Sequence, residues 1–209
     1  GKYTDIFSDD GTLIARESEF PDRTREIQEI DYANWRIKIT RYDANNNVTA
    51  IVIREMDYDL HLMLEKVNKG KIDVSEVTRG ALIQGKLIDA VYYWSNGNEK
   101  IHIVYQSDGY SLVTEYNENG DIDKITLVSP GGFVKSVEDW QYFSDRIEVR
   151  YTDGERLTRL EIRDLADKRV ISAENYTSEG KLASREVWRY NPSKNEVTVI
   201  TYYDNSDTI

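Results

Sequence analysis

The feature that most limits what this chain can become is a recurring turn. Asp10-Gly11, Asn96-Gly97, Asp108-Gly109, Asn119-Gly120 and Asp153-Gly154 are hairpin dipeptides, with Glu179-Gly180 a looser relative and Asn45-Asn46-Asn47 a version without glycine. Glycine reaches positive φ without steric cost, and Asn or Asp tolerates it. From Asn96 onward such signals recur about every 11–13 residues, the spacing of a β-meander. Between them the side chains alternate. Ile101, Ile103 and Tyr105 share one parity, and His102, Val104 and Gln106 share the other; Ile147, Val149 and Tyr151 alternate with Glu148 and Arg150. Period two in Val, Ile, Thr, Tyr and Trp is the pattern of strands. Arg159, Arg163, Arg185 and Arg189 are expected on a wet second face, with their aliphatic stems laid over apolar surface.

These observations predict an all-β fold: one extended, twisted antiparallel β-meander built from repeated hairpins, with one or two short helical insertions. A half-open β-barrel is the alternative. The chain reads as a single β-rich domain over 1–209, with a possible subdivision into an irregular 1–85 and a regular meander over 86–209. Asp22 to Glu29, charged and just after Pro21, reads as a short helix or a polar loop. Leu60, Leu62 and Leu64 alternate with His61, Met63 and Glu65, which favours a strand; a helix through Leu60, Leu64 and Val67 is the rival reading. Asp73 to Gln84 has a loose helical spacing, capped by Asp73 or Ser75 and weakened by Gly80.

The turns sit inside a longer repeated phrase: an aromatic, polar turn residues, then an aliphatic. Copies are Tyr42 to Thr49 (YDANNNVT), Tyr116 to Ile122 (YNENGDI), Tyr151 to Leu157 (YTDGERL) and Tyr176 to Leu182 (YTSEGKL), with Phe7 to Leu13 a looser one. Repetition of one hairpin unit implies a sheet extended by stacking. On these residues the chain resembles YD-repeat proteins of the Rhs type. It is also similar to the MORN-variant repeats of bacterial antitoxin-like and surface proteins. The Tyr-Asp of the first family stands only at Tyr42-Asp43, and Asn46 or Asn47 takes the place of its glycine. Either resemblance implies an extended antiparallel sheet used as scaffold or binding surface, and neither motif carries a catalytic residue to transfer.

Composition narrows function by exclusion. Lys and Arg number 27 against 38 Asp and Glu, a net charge of −11, so clustered cations for nucleic-acid phosphate are not expected. Cysteine is absent, which removes disulfides, thiolate metal sites and a cysteine nucleophile. With 15 Tyr, 4 Trp and 4 Phe the chain is too aromatic for disorder. No apolar run reaches the length of a membrane span. The chain opens Gly1-Lys2-Tyr3 without a starting Met, as a trimmed piece of a longer chain would, and as an exported precursor would once its leader is removed. Zero cysteine agrees with that, and the periplasm or cell surface is the expected compartment.

No spacing singles out a catalytic centre, and no cofactor motif is present. His61 and His102 are the only histidines and lie far apart. Glu138 and Asp139 beside Trp140 could act as paired carboxylates, against the simpler reading of acidic surface. Asn117, Asn119, Asp121 and Asp123 alternate around Gly120 as calcium ligands can, or as Asx residues in a turn do. Aromatic clusters remain, with Trp94, Trp140 and Trp188 as candidate ligand-binding residues. Exposed Tyr and Trp supply contact area at low entropic cost, while cross-strand pairing is the structural alternative. The expectation is a non-catalytic binding or scaffold module of an exported bacterial protein, taking an unidentified protein or glycan. The alternatives are a carbohydrate-binding domain or glycan-directed hydrolase using those aromatics, and a homo-oligomer joined through sheet edges.

Overall fold

The computed structural model describes residues 1–194 and 196–203. Fifteen antiparallel strands make one open sheet whose strand order is the sequence order. They are β1 (Lys2–Phe7), β2 (Leu13–Glu19), β3 (Arg25–Asp31), β4 (Arg36–Tyr42), β5 (Val48–Glu55), β6 (Leu87–Tyr93), β7 (Glu99–Tyr105) and β8 (Ser111–Tyr116), continuing with β9 (Ile122–Val128), β10 (Val134–Tyr142), β11 (Ile147–Asp153), β12 (Arg156–Arg163), β13 (Val170–Tyr176), β14 (Leu182–Asn191) and β15 (Glu196–Tyr203). The predicted meander is therefore present and open, which sets aside the barrel alternative.

One turn geometry recurs seven times among the described residues. Its first residue donates its backbone N–H to the carbonyl four residues on, and its carbonyl accepts from the N–H three residues on. Ser8, Phe20, Asp43, Trp94, Asn117, Ser129 and Thr177 begin these turns. The fourth residue has positive φ in each: Gly11, Arg23, Asn46, Gly97, Gly120, Gly132 and Gly180. This is a type I turn closed by a left-handed residue, and the extra residue appears as a one-residue register shift, as between Arg41 and Tyr42 or Tyr92 and Tyr93. It explains the repeated phrase at Tyr42, Tyr116 and Tyr176, where the aromatic precedes the turn and Asp43, Asn117 or Thr177 at its first position accepts from the turn's own N–H groups. The Tyr151 copy closes differently, with Asp153 paired to Arg156.

The described residues fall into two compact units: Gly1–Ser107 with Tyr116–Asp121, and Asp108–Glu115 with the described residues from Ile122 on.

In the first unit a helical insertion between β5 and β6 covers one sheet face. It comprises α1 (Tyr58–Asn68), a single 3-10 turn at Val74–Glu76 and the short α2 (Arg79–Leu82). The strand expected over Leu60, Leu62 and Leu64 is instead α1. Asp57 caps it by accepting from Leu60 N at 2.7 Å, a bond worth about 1 kcal/mol. Burial of Leu60, Leu64 and Val67 on one side settles the ambiguity in favour of helical spacing. These side chains pack on Ile37, Ile39, Val52 and Ala90 of the sheet, together with Val77 and Leu82 of the insertion. The two ends of the insertion close tightly. Glu55 N donates to Lys86 O, and a Cβ on Gly85 would fall 2.0 Å from Glu55 O, so no other residue fits there.

Arg25–Asp31 is likewise a strand, β3, where a helix or loop was expected. Its buried face is Glu26, Gln28 and Ile30, so the alternation is real but carried by polar residues. The expected helix over Asp73 to Gln84 is reduced to the 3-10 turn and α2, capped separately by Asp73 and Thr78.

The second unit has no helix covering its sheet among the described residues. Its apolar core is small: Trp140, Ile147 and Val149, with Ile122, Tyr142 and Tyr151 against them. The rest of that face is a ladder of ion pairs.

Candidate functional site

The β6–β7 turn positions Trp94. Trp94 N donates to Asn98 O at 2.8 Å, Gly97 N donates back to Trp94 O, and Asn98 N donates to Asn96 Oδ1. The indole is pinned from two further directions. Its Nε1 donates to Tyr116 O at 3.1 Å, and Lys100 Nζ sits 4.4 Å from the ring centroid, a cation–π contact. Asn96 and Asn98 each donate a side-chain N–H to Glu118 O at 2.8 Å, tying in the neighbouring turn.

Beside this ring is a cleft of about 390 Å³, walled by Tyr93, Trp94, Val48 and Ile51 and rimmed by Asn47 and Asn96. Ile51 pairs with Thr40 and Val91, on the sheet face opposite Val52 and Ala90. The cleft therefore opens away from the helical insertion. Burial, with the charges of Glu99 and Asp89 adding to it, pushes the Tyr93 phenol up and keeps it neutral. An apolar wall with amide groups at its rim suits a sugar ring or a small polar side chain.

The other two candidate tryptophans are placed differently. Trp140 is buried in the second unit's core at 8% exposure, so its ring is not a surface platform. Trp188 is half-buried, and its Nε1 donates to Glu186 Oε2 at 3.3 Å. It belongs to the ion ladder that fills the same face. Arg159 reaches Glu161 at 2.8 Å and Glu186 at 3.0 Å, and Arg163 reaches Glu161 at 2.6 Å. Asn175 donates to Ser184 and Glu186, and Tyr151 donates its hydroxyl to Glu161. Arg159 and Arg163 thus stand on the packed face, contrary to the expectation of wet heads. Arg185, paired with Glu174 and largely exposed, has the expected wet placement.

This ladder separates its carboxyl groups electrostatically. Burial raises the Glu138 carboxyl above the ordinary range, more than the Trp140 indole and Arg163 bring it down, and the charge of Glu161 adds to the rise. The indole N–H of Trp140 faces Glu138 without reaching hydrogen-bond geometry. Burial also works against ionised Glu161, but Arg159 and Arg163 outweigh it and hold that carboxyl low. Burial and the Glu161 charge push the Tyr151 phenol up to about 12. A split pair of acids is what general acid–base chemistry uses. Both oxygens of Glu161 are already engaged by Arg159, Arg163 and Tyr151, which leaves the carboxylate serving packing.

Asn117, the first of the alternating oxygen residues, accepts at Oδ1 from Asn119 N and Asp121 N, so its carbonyl oxygen holds the turn. No group of three or more His, Asp or Glu among the described residues is arranged to hold a metal ion. His61 lies on α1, not on a strand, and its ring stacks on Trp35 with centroids 3.9 Å apart. His102 Nε2 lies 3.0 Å from Asp89 Oδ2 on β6.

Three arginines that the sequence did not single out converge near the start of β3. Glu26, with its side chain 2% exposed, is held by Arg79 through Nε at 2.9 Å and Nη2 at 2.8 Å, and by Arg41 through Nε at 3.0 Å. Arg25 stacks on Tyr42 nearby and pairs with Glu17. Burial opposes the Glu26 charge, and the two guanidinium groups overcome it and hold the carboxyl low.

No protein-family model matches the chain, and no curated protein does. Among solved structures, the chain is similar to TarM of S. aureus, crystallised with fondaparinux, alpha-GlcNAc-glycerol and UDP, at 10% identity and a TM-score of 0.24. That match covers 55% of this chain and 17% of TarM. A porin-like protein from Bacteroides uniformis matches at 8% identity and a TM-score of 0.27, over 95% of this chain and 86% of the other. A Bacteroides fragilis protein of unknown function matches at 9% and 0.16, over 98% and 92%. At these scores the likenesses carry no argument. Among the described residues no helix is long and apolar enough to cross a membrane.

Proposed function

We propose that this chain is a non-catalytic binding module of an exported protein, and that its ligand is a neutral sugar seated in the Trp94 cleft. The observation that carries the reading is the cleft itself: an aromatic wall fixed by Tyr116 and Lys100, with Asn47 and Asn96 at its rim. A fixed ring loses little entropy on binding, which favours recognition. Glu161 and Glu186 of the second unit are engaged by arginine, which supports the non-catalytic half of the reading. Resemblance to hairpin-repeat scaffolds points the same way.

The test is tryptophan emission of the intact protein titrated with a panel of neutral soluble oligosaccharides. A saturable change that Trp94→Ala abolishes and Trp188→Phe retains supports the reading. A panel without response, or release of reducing ends from any member, overturns it.

A further inference from the structure

A second hollow, of about 280 Å³, lies between the β2–β3 turn, the β4–β5 hairpin and α2. We propose that it is a binding site for a small organic carboxylate, held by Arg41 and Arg79.

Two guanidinium groups share the single carboxylate of Glu26, and three arginines line the hollow with two acids, Glu26 and Asp43. Arg25 is paired with Glu17. Asp43 accepts from Asn45 N and Asn47 N at one oxygen and from Asn47 Nδ2 at the other, within its own turn.

Donors remain. Arg41 gives Glu26 only its Nε, so its two terminal nitrogens have no partner among the described residues, and Arg79 keeps Nη1. Both side chains are about two-fifths exposed, at 44% and 40%, and so are reachable from solvent. Their orientation is set in advance: Glu26 anchors both, and the Arg79 guanidinium lies 5.4 Å from the Phe20 ring centroid. A planar carboxylate fits such forked donors. Phe20 and Tyr42 on the walls suit an apolar body attached to it, and the volume suits a single ring rather than a nucleotide.

The test is calorimetric titration of the intact protein with benzoate, benzamide and inorganic phosphate as probes. Expected are saturable binding of benzoate, weakened by added salt, and none of neutral benzamide. Arg41→Gln should weaken benzoate binding by about tenfold or more, while Arg185→Gln on the exposed face of β14 changes nothing. Should Arg41→Gln not fold, the benzoate and benzamide arms on the wild-type protein decide alone. Equal binding of benzamide, tighter binding of phosphate than of benzoate, or no benzoate heat at all overturns the assignment.

Discussion

The two units use the same hairpin and the same turn, and they stabilise a sheet face in opposite ways. In the first, Leu60, Leu64, Val77 and Leu82 of the helical insertion cover the strands and make a continuous apolar core. In the second, nothing helical lies on the sheet among the described residues. The face closes on itself through cross-strand pairs, and the register sets the rows. Trp140, Val149, Glu161, Ala173 and Glu186 form one, and Glu138, Tyr151, Arg159, Asn175 and Ser184 the next. A sheet without a second layer cannot dehydrate an apolar face, so this one carries long arginines whose stems pack and whose heads meet acids. Even the first unit needs ions where its insertion ends. Arg79 of α2 binds Glu26, and Arg16 binds Asp5 and donates to the Val77 and Val74 carbonyls.

The largest expected effect tests the covered unit. Leu64→Ala leaves a void where the side chain is fully buried and should cost about 2–5 kcal/mol in urea unfolding followed by circular dichroism. A loss under about 1 kcal/mol would mean that the insertion rests loosely on the sheet. Glu161→Ala strands Arg163 in the ladder and takes one of the two acids that hold Arg159. The cost should fall between that of a surface pair and that of a buried one, about 1–3 kcal/mol. Replacing Arg159, Glu161 and Arg163 together by Met, Leu and Met should recover most of it if the ladder serves packing, and a larger loss in the triple variant than in Glu161→Ala would break the comparison.

Next in size is a turn. Arg23 holds positive φ at the position glycine fills in most copies, so Arg23→Gly should stabilise by roughly 0.5–1 kcal/mol, read as a higher urea midpoint at unchanged slope.

The smallest effect is a pH dependence. A carboxyl raised in the folded state contributes stability below its unfolded value and loses it as pH rises through the folded value. Glu138→Gln should therefore be slightly more stable than the wild type at pH 7, with the gap closing as pH falls through the folded value toward the ordinary carboxylate range. Glu161, Glu186 and Glu26 are held low, so they contribute above their unfolded values and the protein weakens as pH falls further through their folded ones. A pH profile of the urea midpoint identical for Glu138→Gln and wild type would remove the assignment.

Strand alternation and turn chemistry were legible because each is local. Where reading failed, a distant partner decided. β3 looks like a polar loop because Glu26 and Gln28 face inward, and what makes that tolerable is Arg79, 53 residues away. Leu60, Leu62 and Leu64 alternate as a strand would, and the deciding facts are the Asp57 cap and a sheet for Leu60 and Leu64 to lie on. The same distance hid the Arg41 and Arg79 hollow and the Trp35–His61 stack. Trp94 was within reach of sequence reading because its own turn builds the cleft. Trp140 was not distinguishable from it by composition, since only the register on Val149 shows that it is core.

Because every strand bonds to its neighbours in sequence, most contacts in this protein join residues close along the chain. Such a topology has low contact order, and closing each hairpin costs little loop entropy. The chain can therefore build its sheet progressively, one hairpin on the last, as it leaves the ribosome. The insertion is the exception, since α1 must wait for β6 before it has a finished face to cover. It also follows that lengthening by duplication is simple: a hairpin copied in frame meets the same edge its parent did, and no existing pairing has to be undone.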